Sequence, residues 1–179
     1  MLGLAYCLRV TQHLGDDLTD LRRRLGEVET VLAIQSLKAR YGELVDGRFS
    51  KGRVADATTL ARVADEAAGL FTPDAVWDGG PVLGRATGRQ AIASRLRAPT
   101  VSFARHFFVN PRIIPKGDMA TARWEVLSPC KGNDGTSYWM TGYEDDEYVL
   151  LDGVWLHRHM KLTTVFMAPV TDGWTSIFT

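Results

Sequence analysis

The sequence predicts an α+β fold, in which helices from the first half of the chain pack on one face of a strongly curved, mostly antiparallel sheet. Apolar residues recur at steps of three and four in several segments of the first half, as they do in amphipathic helices. The second half consists of β-rich segments that short turns separate. A strongly bent sheet capped by helices forms a cone-shaped α+β barrel with a pocket inside it.

Helices are predicted over four segments of the first half: 16–29, 28–45, 56–71 and 88–96. Gly26 is expected to separate the first helix from the second, because glycine is a poor helix former. The second helix has the clearest periodicity and ends at Asp46, after which residues 47–52 are expected to form a loop. In the last helix, Ile92 and Leu96 are expected to point inward.

One short strand and four long strands are predicted, over residues 75–78, 101–114, 119–127, 137–150 and 154–169. Residues typical of tight turns separate the long strands, at 115–118, 131–135 and 151–153. Short links favour antiparallel neighbours, since parallel strands require long crossover connections.

The length and charge of the chain limit its organisation and its partners. With 179 residues, it is long enough for one domain with a substantial core. We divide it into an N-terminal extension (1–27), the barrel domain (28–169) and a C-terminal tail (170–179). Lysine plus arginine and aspartate plus glutamate both number 21, so the formal net charge is zero. This balance argues against nucleic acid or an anionic membrane as the main partner.

The cysteine content and the apolar start of the chain favour a cytoplasmic location. Cys7 and Cys130 form no disulfide framework and fit a reducing compartment. The first residues are apolar but lack a basic region and a clear cleavage site for a secretory signal. No run reaches the roughly 18 apolar residues of a membrane-spanning helix.

An aspartate and a histidine form the first candidate pair for catalysis. Asp46 ends the apolar stripe of the helix over 28–45, and His106 lies on a predicted strand. Strand alternation places His106 on the same face as Phe108 and Asn110. A carboxylate bound to one ring nitrogen would fix the tautomer of a neutral histidine that acts as a base. The alternative is a core histidine and a helix-capping aspartate, and spacing alone leaves both open.

Tyr41 precedes Asp46 by five residues and is a second candidate for catalysis. On a continuous helix this step is about 140° round the axis, so the two side chains share a pocket only if the chain bends near Gly42 or Asp46. A tyrosine hydroxyl there could donate to a carbonyl or to a leaving oxygen. The alternative is an ordinary core tyrosine.

Three residues of the last strand raise further possibilities. His157 and His159 are two residues apart and are expected to point the same way, but a zinc site needs three or four ligands and no third has a telling spacing. Arg158 is expected on the opposite face together with Leu156 and Met160, where it would meet Asp46 or a substrate oxygen. A salt bridge at the barrel rim is the alternative for Arg158.

The chain lacks three familiar catalytic or nucleotide-binding motifs. The glycine-rich segment 84–89 has no lysine followed by serine or threonine, so it does not form a phosphate-binding loop. Neither Gly-x-Ser-x-Gly nor Gly-x-Gly-x-x-Gly occurs. A serine-hydrolase site or a dinucleotide site therefore has no motif support.

Four segments taken in order resemble the SnoaL-like branch of the nuclear-transport-factor-2-like superfamily. They span 34–46, 70–77, 106–110 and 142–155. Each is a weak signal alone, but their order and spacing make the resemblance fairly specific. The branch includes hexachlorocyclohexane dehydrochlorinase, scytalone dehydratase and bile acid 7α-dehydratase.

The resemblance implies that Asp46 and His106 form the catalytic pair of an elimination reaction. The dehydratases also have a tyrosine near this aspartate, which matches Tyr41, whereas the dehydrochlorinase has a lysine there. Loss of an oxygen leaving group is therefore favoured over loss of halide. No cofactor and no metal is implied. The segment 47–70 is longer than the corresponding loop of the dehydrochlorinase. The resemblance therefore does not imply that this chain acts on the same substrate as the dehydrochlorinase.

The predicted function is a dehydratase-type lyase that acts on a small, largely apolar cyclic, polyketide-like or steroid-like molecule. Its pocket is expected to be lined by Trp77, Phe108 and Met140, with Asn110 and Arg158 as polar contacts. An isomerase or cyclase of the same fold is one alternative. A module that binds a small molecule or a protein without catalysis is another.

Assembly is expected to involve the late strands. The apolar run 165–170 and the aromatic residues of these strands suggest a sheet face that is buried between subunits. The dehydratase relatives imply a homotrimer, with a homodimer as the alternative. The tail, which contains Trp174 and Phe178, is expected to pack over the pocket mouth or on a neighbouring subunit.

Overall fold

The computed structural model describes residues 2–170, with side chains from residue 15 onward. Its first element is a single helix of 45 residues, α1 (Leu2–Asp46). The predicted break at Gly26 is wrong. A glycine inside an exposed helix costs only about 1 kcal/mol, which does not stop a helix that is favourable on both sides. The tail beyond residue 170 and its predicted packing lie outside the described residues.

A small hairpin replaces the loop that was predicted after α1. It consists of β1 (Phe49–Ser50) and β2 (Arg53–Val54). Lys51 and Gly52 have positive φ angles of 51° and 73°. Two such residues between paired strands form the tight turn that matches the twist of a hairpin.

Three helices and two strands follow as a compact unit: α2 (Ala57–Gly69), β3 (Phe71–Asp78), α3 (Gly80–Leu83), β4 (Arg85–Thr87) and α4 (Arg89–Leu96). The Asp56 carboxylate caps α2 by accepting from the Thr59 backbone N–H at 2.9 Å. The strand predicted at 75–78 is longer, because Phe71 already pairs with the last strand of the sheet. Ile92 and Leu96 are buried, as predicted.

The second half forms the large sheet through β5 (Phe103–Ala104), β6 (Phe107–Lys116), β7 (Met119–Lys131), β8 (Ser137–Leu151) and β9 (Val154–Pro169). The strand order is β4-β3-β9-β8-β7-β5, and β6 also pairs with β7. All pairs are antiparallel except β3 with β9. The predicted strand 101–114 is interrupted at Arg105 and His106, between β5 and β6.

A bulge in β9 changes which residues face the core. Tyr148 pairs with His157 and Glu147 pairs with His159, so Arg158 is an extra residue in the ladder. Consequently His157 and Met160 are both buried, whereas Arg158 is exposed. The prediction that Arg158 and Met160 share a face is wrong, because simple alternation does not continue through a bulge.

A close contact between β8 and β9 occurs at Gly142. A Cβ atom on this residue would lie 2.3 Å from the Thr163 carbonyl oxygen. The register shifts next to it, between Thr141 and Gly142. Glycine therefore allows two long strands to approach where the sheet bends.

The core lies between the helices and the concave face of the sheet. One buried cluster joins Tyr41, Phe71, Ile92 and Met160, and a second includes Ile34, Trp124 and Tyr148. The predicted α+β architecture is confirmed. Within the described part of the chain, no helix is both long enough and apolar enough to cross a membrane.

Candidate active site

Asp46 and His106 form a direct contact at the C-terminal end of α1. The Oδ1 atom of Asp46 lies 2.7 Å from Nδ1 of His106, which is within hydrogen-bond distance. The same oxygen accepts a hydrogen bond of 3.0 Å from the His106 backbone N–H. Two bonds to one residue fix both the backbone and the ring of His106.

The interruption between β5 and β6 makes this arrangement possible. The Arg105 N–H donates to the Pro129 carbonyl at 3.1 Å, whereas the next N–H, that of His106, turns to Asp46. Nε of Arg105 lies 3.2 Å from the second oxygen of Asp46. Sequence reasoning did not identify Arg105, and its only signal was its position next to His106.

The geometry of the pair selects a tautomer of the histidine. An ionised Asp46 only accepts hydrogen bonds, so Nδ1 of His106 carries a proton when the ring is neutral. The other nitrogen, Nε2, is then free to accept a proton. The ring lies nearly parallel to Phe108, with 6.0 Å between the centroids, and its side chain is 20% exposed. The pair can therefore act as a base that is oriented by a carboxylate.

Tyr41 is buried on the same side of the site. Its hydroxyl oxygen accepts a hydrogen bond of 3.0 Å from Nε1 of Trp77. Burial raises the pKa of Tyr41 to about 12, and the nearby charge of Glu144 acts in the same direction. The phenol therefore keeps its proton at neutral pH and can donate it in a hydrogen bond.

Two adjoining cavities meet at His106. The inner chamber has a volume of about 80 Å³ and is lined by Tyr41, Trp77, Phe108 and two arginines. The outer chamber has a volume of about 370 Å³ and is lined mainly by apolar side chains, among them Met167. Met140 and His106 belong to the walls of both chambers. Asp46 lines neither chamber and instead borders a separate groove with Arg105 and His106. Tyr41 and His106 share the inner chamber although α1 is a continuous helix.

The predicted lining residues divide into two groups. Trp77, Phe108 and Met140 line the chambers. Asn110 does not: it is exposed, with a φ of 49°, at the register shift between β6 and β7. Arg158 does not meet Asp46 either, because it lines a separate groove with Ile114 and Glu147. Both predictions are wrong for the same reason, which is that bulges interrupt the alternation of their strands.

A buried ionic cluster lies beside the inner chamber. The ammonium group of Lys38 contacts a Glu144 carboxylate oxygen and lies 2.7 Å from Oδ2 of Asp146. Tyr148 donates to the same Asp146 oxygen at 2.8 Å, and Nε1 of Trp124 donates to Tyr148 at 3.1 Å. Glu144 is also part of the wall of the inner chamber.

The charges in this cluster shift one another's pKa. Burial alone would lower the pKa of Lys38, but the carboxylates of Asp146 and Glu144 outweigh it and raise that pKa. Burial raises the pKa of Asp146, although the charge of Lys38 opposes this. Lys38 therefore stays charged at neutral pH.

Sequence reasoning missed the members of this cluster, although signals for them exist. Lys38 follows Ile34 by four residues and precedes Tyr41 by three, which puts it on the core stripe of α1. Glu144 and Asp146 alternate along β8 on its buried face. A charged residue at a core position predicts a buried partner of opposite charge.

His157 is a core residue. Its ring lies 4.9 Å from Phe71 and 4.8 Å from Tyr148, centroid to centroid, and it is fully buried. Neither of its ring nitrogens has a hydrogen-bond partner among the described residues. Burial lowers the pKa of His157, and the charge of Lys38 lowers it further. Across residues 15–170, no three or more histidine, cysteine, aspartate or glutamate side chains are arranged to hold a metal.

Comparison with solved structures identifies the same fold in proteins of distant sequence. Hexachlorocyclohexane dehydrochlorinase LinA-type3 from Novosphingobium barchaimii is 19% identical, with a TM-score of 0.66 over 81% of this chain and 92% of that one. A candidate scytalone dehydratase from Novosphingobium aromaticivorans is 22% identical, with a TM-score of 0.64 over 80% and 89%.

An NTF2-like protein with a cystatin-like fold, also from N. aromaticivorans, is 23% identical, with a TM-score of 0.66 over 90% and 94%. The sequence matches no curated protein. The family model of the SnoaL-like domain matches residues 26–161, which is most of the chain. Sequence and fold thus agree, and the chain belongs to the SnoaL-like domain family.

Proposed function

We propose that this protein is a lyase that catalyses β-elimination without a cofactor, with dehydration favoured over dehydrohalogenation. The observation that carries the proposal is the 2.7 Å contact between Asp46 and His106, whose ring is part of the wall of two adjoining cavities. A pair of this kind at a cavity is suited to proton removal. The names of the dehydrochlorinase and the candidate scytalone dehydratase support the same class of reaction.

In the proposed reaction, Nε2 of His106 takes a proton from a carbon next to an activating group of the substrate. Asp46 holds the ring and stabilises the imidazolium that forms. The electrons of the broken C–H bond form the double bond as the neighbouring C–O bond breaks. Tyr41 donates a hydrogen bond to the departing oxygen. That oxygen takes the proton from His106 and leaves as water, which restores the neutral base.

Several effects would contribute to the rate. A general base contributes about 10²–10⁴-fold, which is about 3–5 kcal/mol of the barrier. Orientation of the substrate and the fixed hydrogen-bond donors of the site would supply the rest. Trp77 and Phe108 give the inner chamber apolar walls, and a less polar surrounding strengthens electrostatic interactions with a bound substrate.

The proposed substrate is a small, largely apolar cyclic, polyketide-like or steroid-like molecule. The supporting observation is the apolar lining of the outer chamber, to which Val82, Met140 and Met167 contribute. The inner chamber is too small for a ring system together with its substituents, so the main body of such a molecule would occupy the outer chamber.

Product analysis over a panel of hydroxylated cyclic compounds tests this function. The expected product is lighter than its substrate by one water, and its formation is lost in His106→Ala. Reaction in deuterium oxide should leave no label on the double bond unless the step reverses. A product of unchanged mass would contradict elimination and would favour the isomerase alternative.

That isomerase is the second candidate, and the position of Glu144 favours it. This carboxyl group lines the inner chamber, as His106 does. A second acid–base group could return a proton to a different carbon of the same substrate. Glu144→Gln would then abolish isomerisation, whereas an elimination that uses only His106 and Tyr41 would survive it.

We also propose that the chain forms a homotrimer, with a homodimer as the alternative, in the cytoplasm. Val165 and Phe166 on β9 are 65% and 51% exposed, which leaves an apolar face available to another subunit. Light scattering tests the assembly, and a mass equal to the 19.8 kDa chain at micromolar concentration would contradict it. Our division at residue 28 falls inside α1, so the extension and the barrel share one helix.

A further inference from the structure

Two arginines line the inner chamber without a carboxylate partner. Nε of Arg48 donates to the Val45 carbonyl at 2.8 Å. Arg95 donates to the carbonyls of Leu83 and Ala98 at 2.9 and 3.0 Å. Among the described side chains, no carboxylate lies within the 4.0 Å ion-pair distance of either guanidinium. Two positive charges therefore face one small cavity.

This arrangement is unfavourable in an empty site. Burial lowers the pKa of Arg48, and the positive charge of Arg95 acts in the same direction, whereas the more distant Asp46 carboxylate acts against them. Glu144 lines the same chamber, but its negative charge is already held by Lys38. Arg48 and Arg95 are both half-buried, and partly desolvated charges without a counter-charge are unfavourable, so the chamber is suited to a ligand that brings one negative charge.

We propose that the substrate carries a carboxylate, which Arg48 and Arg95 bind in the inner chamber while its apolar body occupies the outer chamber. The planar fork of a guanidinium matches the two oxygens of a carboxylate. A dianion such as phosphate fits less well, because the Glu144 carboxylate borders the same space. This inference deepens the proposed function and relies on it only for the identity of the bound molecule as substrate.

Equilibrium binding of matched small ligands to the full-length protein tests the proposal. The probes are benzoate, its neutral counterpart benzamide, and phenylphosphonate. Ligand-detected NMR measures the binding of each probe up to millimolar concentrations. Benzoate is expected to bind at least tenfold more tightly than the other two. In Arg48→Gln this preference over benzamide should disappear, whereas Arg112→Gln, which changes an exposed arginine of β6, should keep it.

Benzamide binding that is equal in the wild type and in Arg48→Gln shows that the variant retains its fold and cavity. Equal binding of benzoate and benzamide by the wild type, or an unchanged preference in Arg48→Gln, would overturn the proposal. Tighter binding of phenylphosphonate would overturn the assignment to a carboxylate. None of these readings depends on turnover, so they stand apart from the test of elimination.

A second and independent observation concerns the exposed part of α1. Five large apolar side chains repeat at steps of three and four residues: Leu18, Leu21, Leu25, Val28 and Leu32. Each is between 54% and 57% exposed. In heptad notation the residues at 18, 25 and 32 occupy position a, and those at 21 and 28 occupy position d. We call this row the α1 seam.

The α1 seam remains more than half exposed along its whole length, although Val28 and Leu32 also border a groove with Pro115 of β6. At 100° per residue, its members lie within about 40° of Leu32 round the helix axis. The core contacts of the helix, Ile34 and Tyr41, lie about 180–200° from Leu32 on the opposite face. The barrel therefore leaves most of the seam uncovered, and one helix presents two separate apolar stripes.

The charges that flank the seam are complementary in one particular arrangement. Asp17 and Arg24 occupy heptad position g, while Arg22 and Glu29 occupy position e. In a parallel coiled coil, position g faces the e position five residues later in the other chain. Asp17 would face Arg22, and Arg24 would face Glu29, with opposite charges in both pairs. None of the four forms an ion pair within its own chain in the described structure.

We infer that the α1 seam pairs with the same seam of a second copy of this chain, as a parallel, in-register coiled coil. Apolar residues at a and d would then be buried between the helices, while the g–e′ pairs fix direction and register. An antiparallel pairing brings g against g′ and loses these matches. The interface is separate from the exposed face of β9 that is proposed for barrel contacts.

Disulfide trapping tests the parallel register directly. In a full-length chain whose two native cysteines are replaced by alanine, Leu21→Cys places one thiol at a d position. Mild oxidation is expected to join two copies, because a parallel register puts identical residues side by side. Thr19→Cys, exposed at position b on the same helix, is the control and should remain unlinked. Equal linking of both variants, or of neither, would overturn the inference.

Charge reversal provides a readout without cysteines. Arg22→Asp should weaken self-association by several fold, and Asp17→Arg in the same chain should restore it to within about twofold. Leu25→Glu should weaken it by about 10²-fold or more, because both copies lose a buried leucine. Thr19→Glu adds the same charge outside the seam and should have little effect. If Asp17→Arg weakened the self-association of the Arg22→Asp variant further instead of restoring it, the result would contradict a parallel arrangement.

Discussion

At the scale of single residues, the site depends on where one carboxylate is held. Asp46 is the last residue of α1, its side chain is 7% exposed, and it contacts both the backbone and the ring of His106. Because the same oxygen accepts both bonds, a change at Asp46 affects the position and the tautomer of the base together. Arg105 binds the other oxygen from the solvent side.

The first prediction concerns this pair. His106→Ala should lower turnover by about 10²–10⁴-fold with little loss of fold. Asp46→Asn should cost nearly as much, because an amide can donate to Nδ1 and favour the wrong tautomer. Loss of both should cost scarcely more than loss of one, because the residues act as a unit. Steady-state kinetics on the substrate that the product screen identifies measures all three variants.

Asp145→Asn is the control for Asp46→Asn. Asp145 lies on β8, and its exposed side chain forms an ion pair with Arg123 of β7. It should leave turnover unchanged. If the effects of Asp46→Asn and His106→Ala multiplied in the double variant, the two residues would act independently, and the proposed mechanism would fail.

A second prediction at this scale concerns the acid stability of the buried imidazole of His157. Its folded-state pKa is lowered well below the ordinary 6.5. Below about pH 6.5 the His157 ring therefore binds a proton in the unfolded chain but not in the folded chain. The contribution of His157 to the free energy of unfolding is fully present above that pH. Below it, this contribution falls by up to about 1.4 kcal/mol per pH unit.

Urea unfolding between about pH 7 and pH 5 measures this effect. His157→Phe should keep the ring packing against Phe71 and Tyr148 while removing the proton uptake. Its unfolding free energy should therefore fall less steeply with acid than that of the wild type. Parallel pH profiles would show that other groups, such as Asp146, dominate the acid response.

At the scale of elements, bulges and close contacts determine which side chains face the cavity. The bulge at Arg158 turns His157 and Met160 toward the core, and the register shift in β6 turns Asn110 toward solvent. Gly142 marks another such place, where β8 passes close to the backbone of β9. Each of these features requires two strands to be paired before it exists.

Gly142→Ala is therefore predicted to destabilise the fold by about 1–3 kcal/mol or more, because its Cβ would overlap the Thr163 carbonyl. Gly26→Ala is the matched comparison. It places the same methyl group in open space on an exposed helix, and should stabilise by up to about 1 kcal/mol. Chemical unfolding of the two variants gives both values. A neutral Gly142→Ala would mean that β8 and β9 can separate without cost.

At the scale of the whole molecule, the helix layer and the sheet are joined by charge as well as by apolar packing. Lys38 extends from α1 to Glu144 and Asp146 on β8, with its ammonium group 4.3 Å from the Phe108 ring centroid. All three charged side chains are buried. This cluster fixes the helix over the sheet next to the inner chamber.

Lys38→Met is predicted to destabilise the protein by about 3–5 kcal/mol, because two buried carboxylates lose their counter-charge. Replacing all three, with Lys38→Met, Glu144→Gln and Asp146→Asn together, should recover a large part of that loss, since no charge then remains buried. Thermal and urea unfolding compare the variants. If Lys38→Met were as stable as the wild type, water or a rearrangement of the side chains would have to stabilise the two carboxylates in place of Lys38.

The sequence by itself determined the layers of this protein and singled out the residues of its candidate catalytic pair. Helical periodicity followed by β-rich segments predicted the α+β fold, and the family-like segments singled out Asp46, His106 and Tyr41. These signals are local: a stripe on a helix and alternation on a strand depend only on neighbouring residues. The role of these residues in catalysis stays a prediction.

Only the tertiary structure decided which distant groups meet. Lys38 and Glu144 are 106 residues apart, and the two arginines at the inner chamber come from different elements. Asn110 and Arg158 were predicted at the site but lie elsewhere, because both are at bulges. The position of a bulge depends on the register between strands. Register and packing are properties of the assembled sheet, so no local pattern in the sequence specifies them.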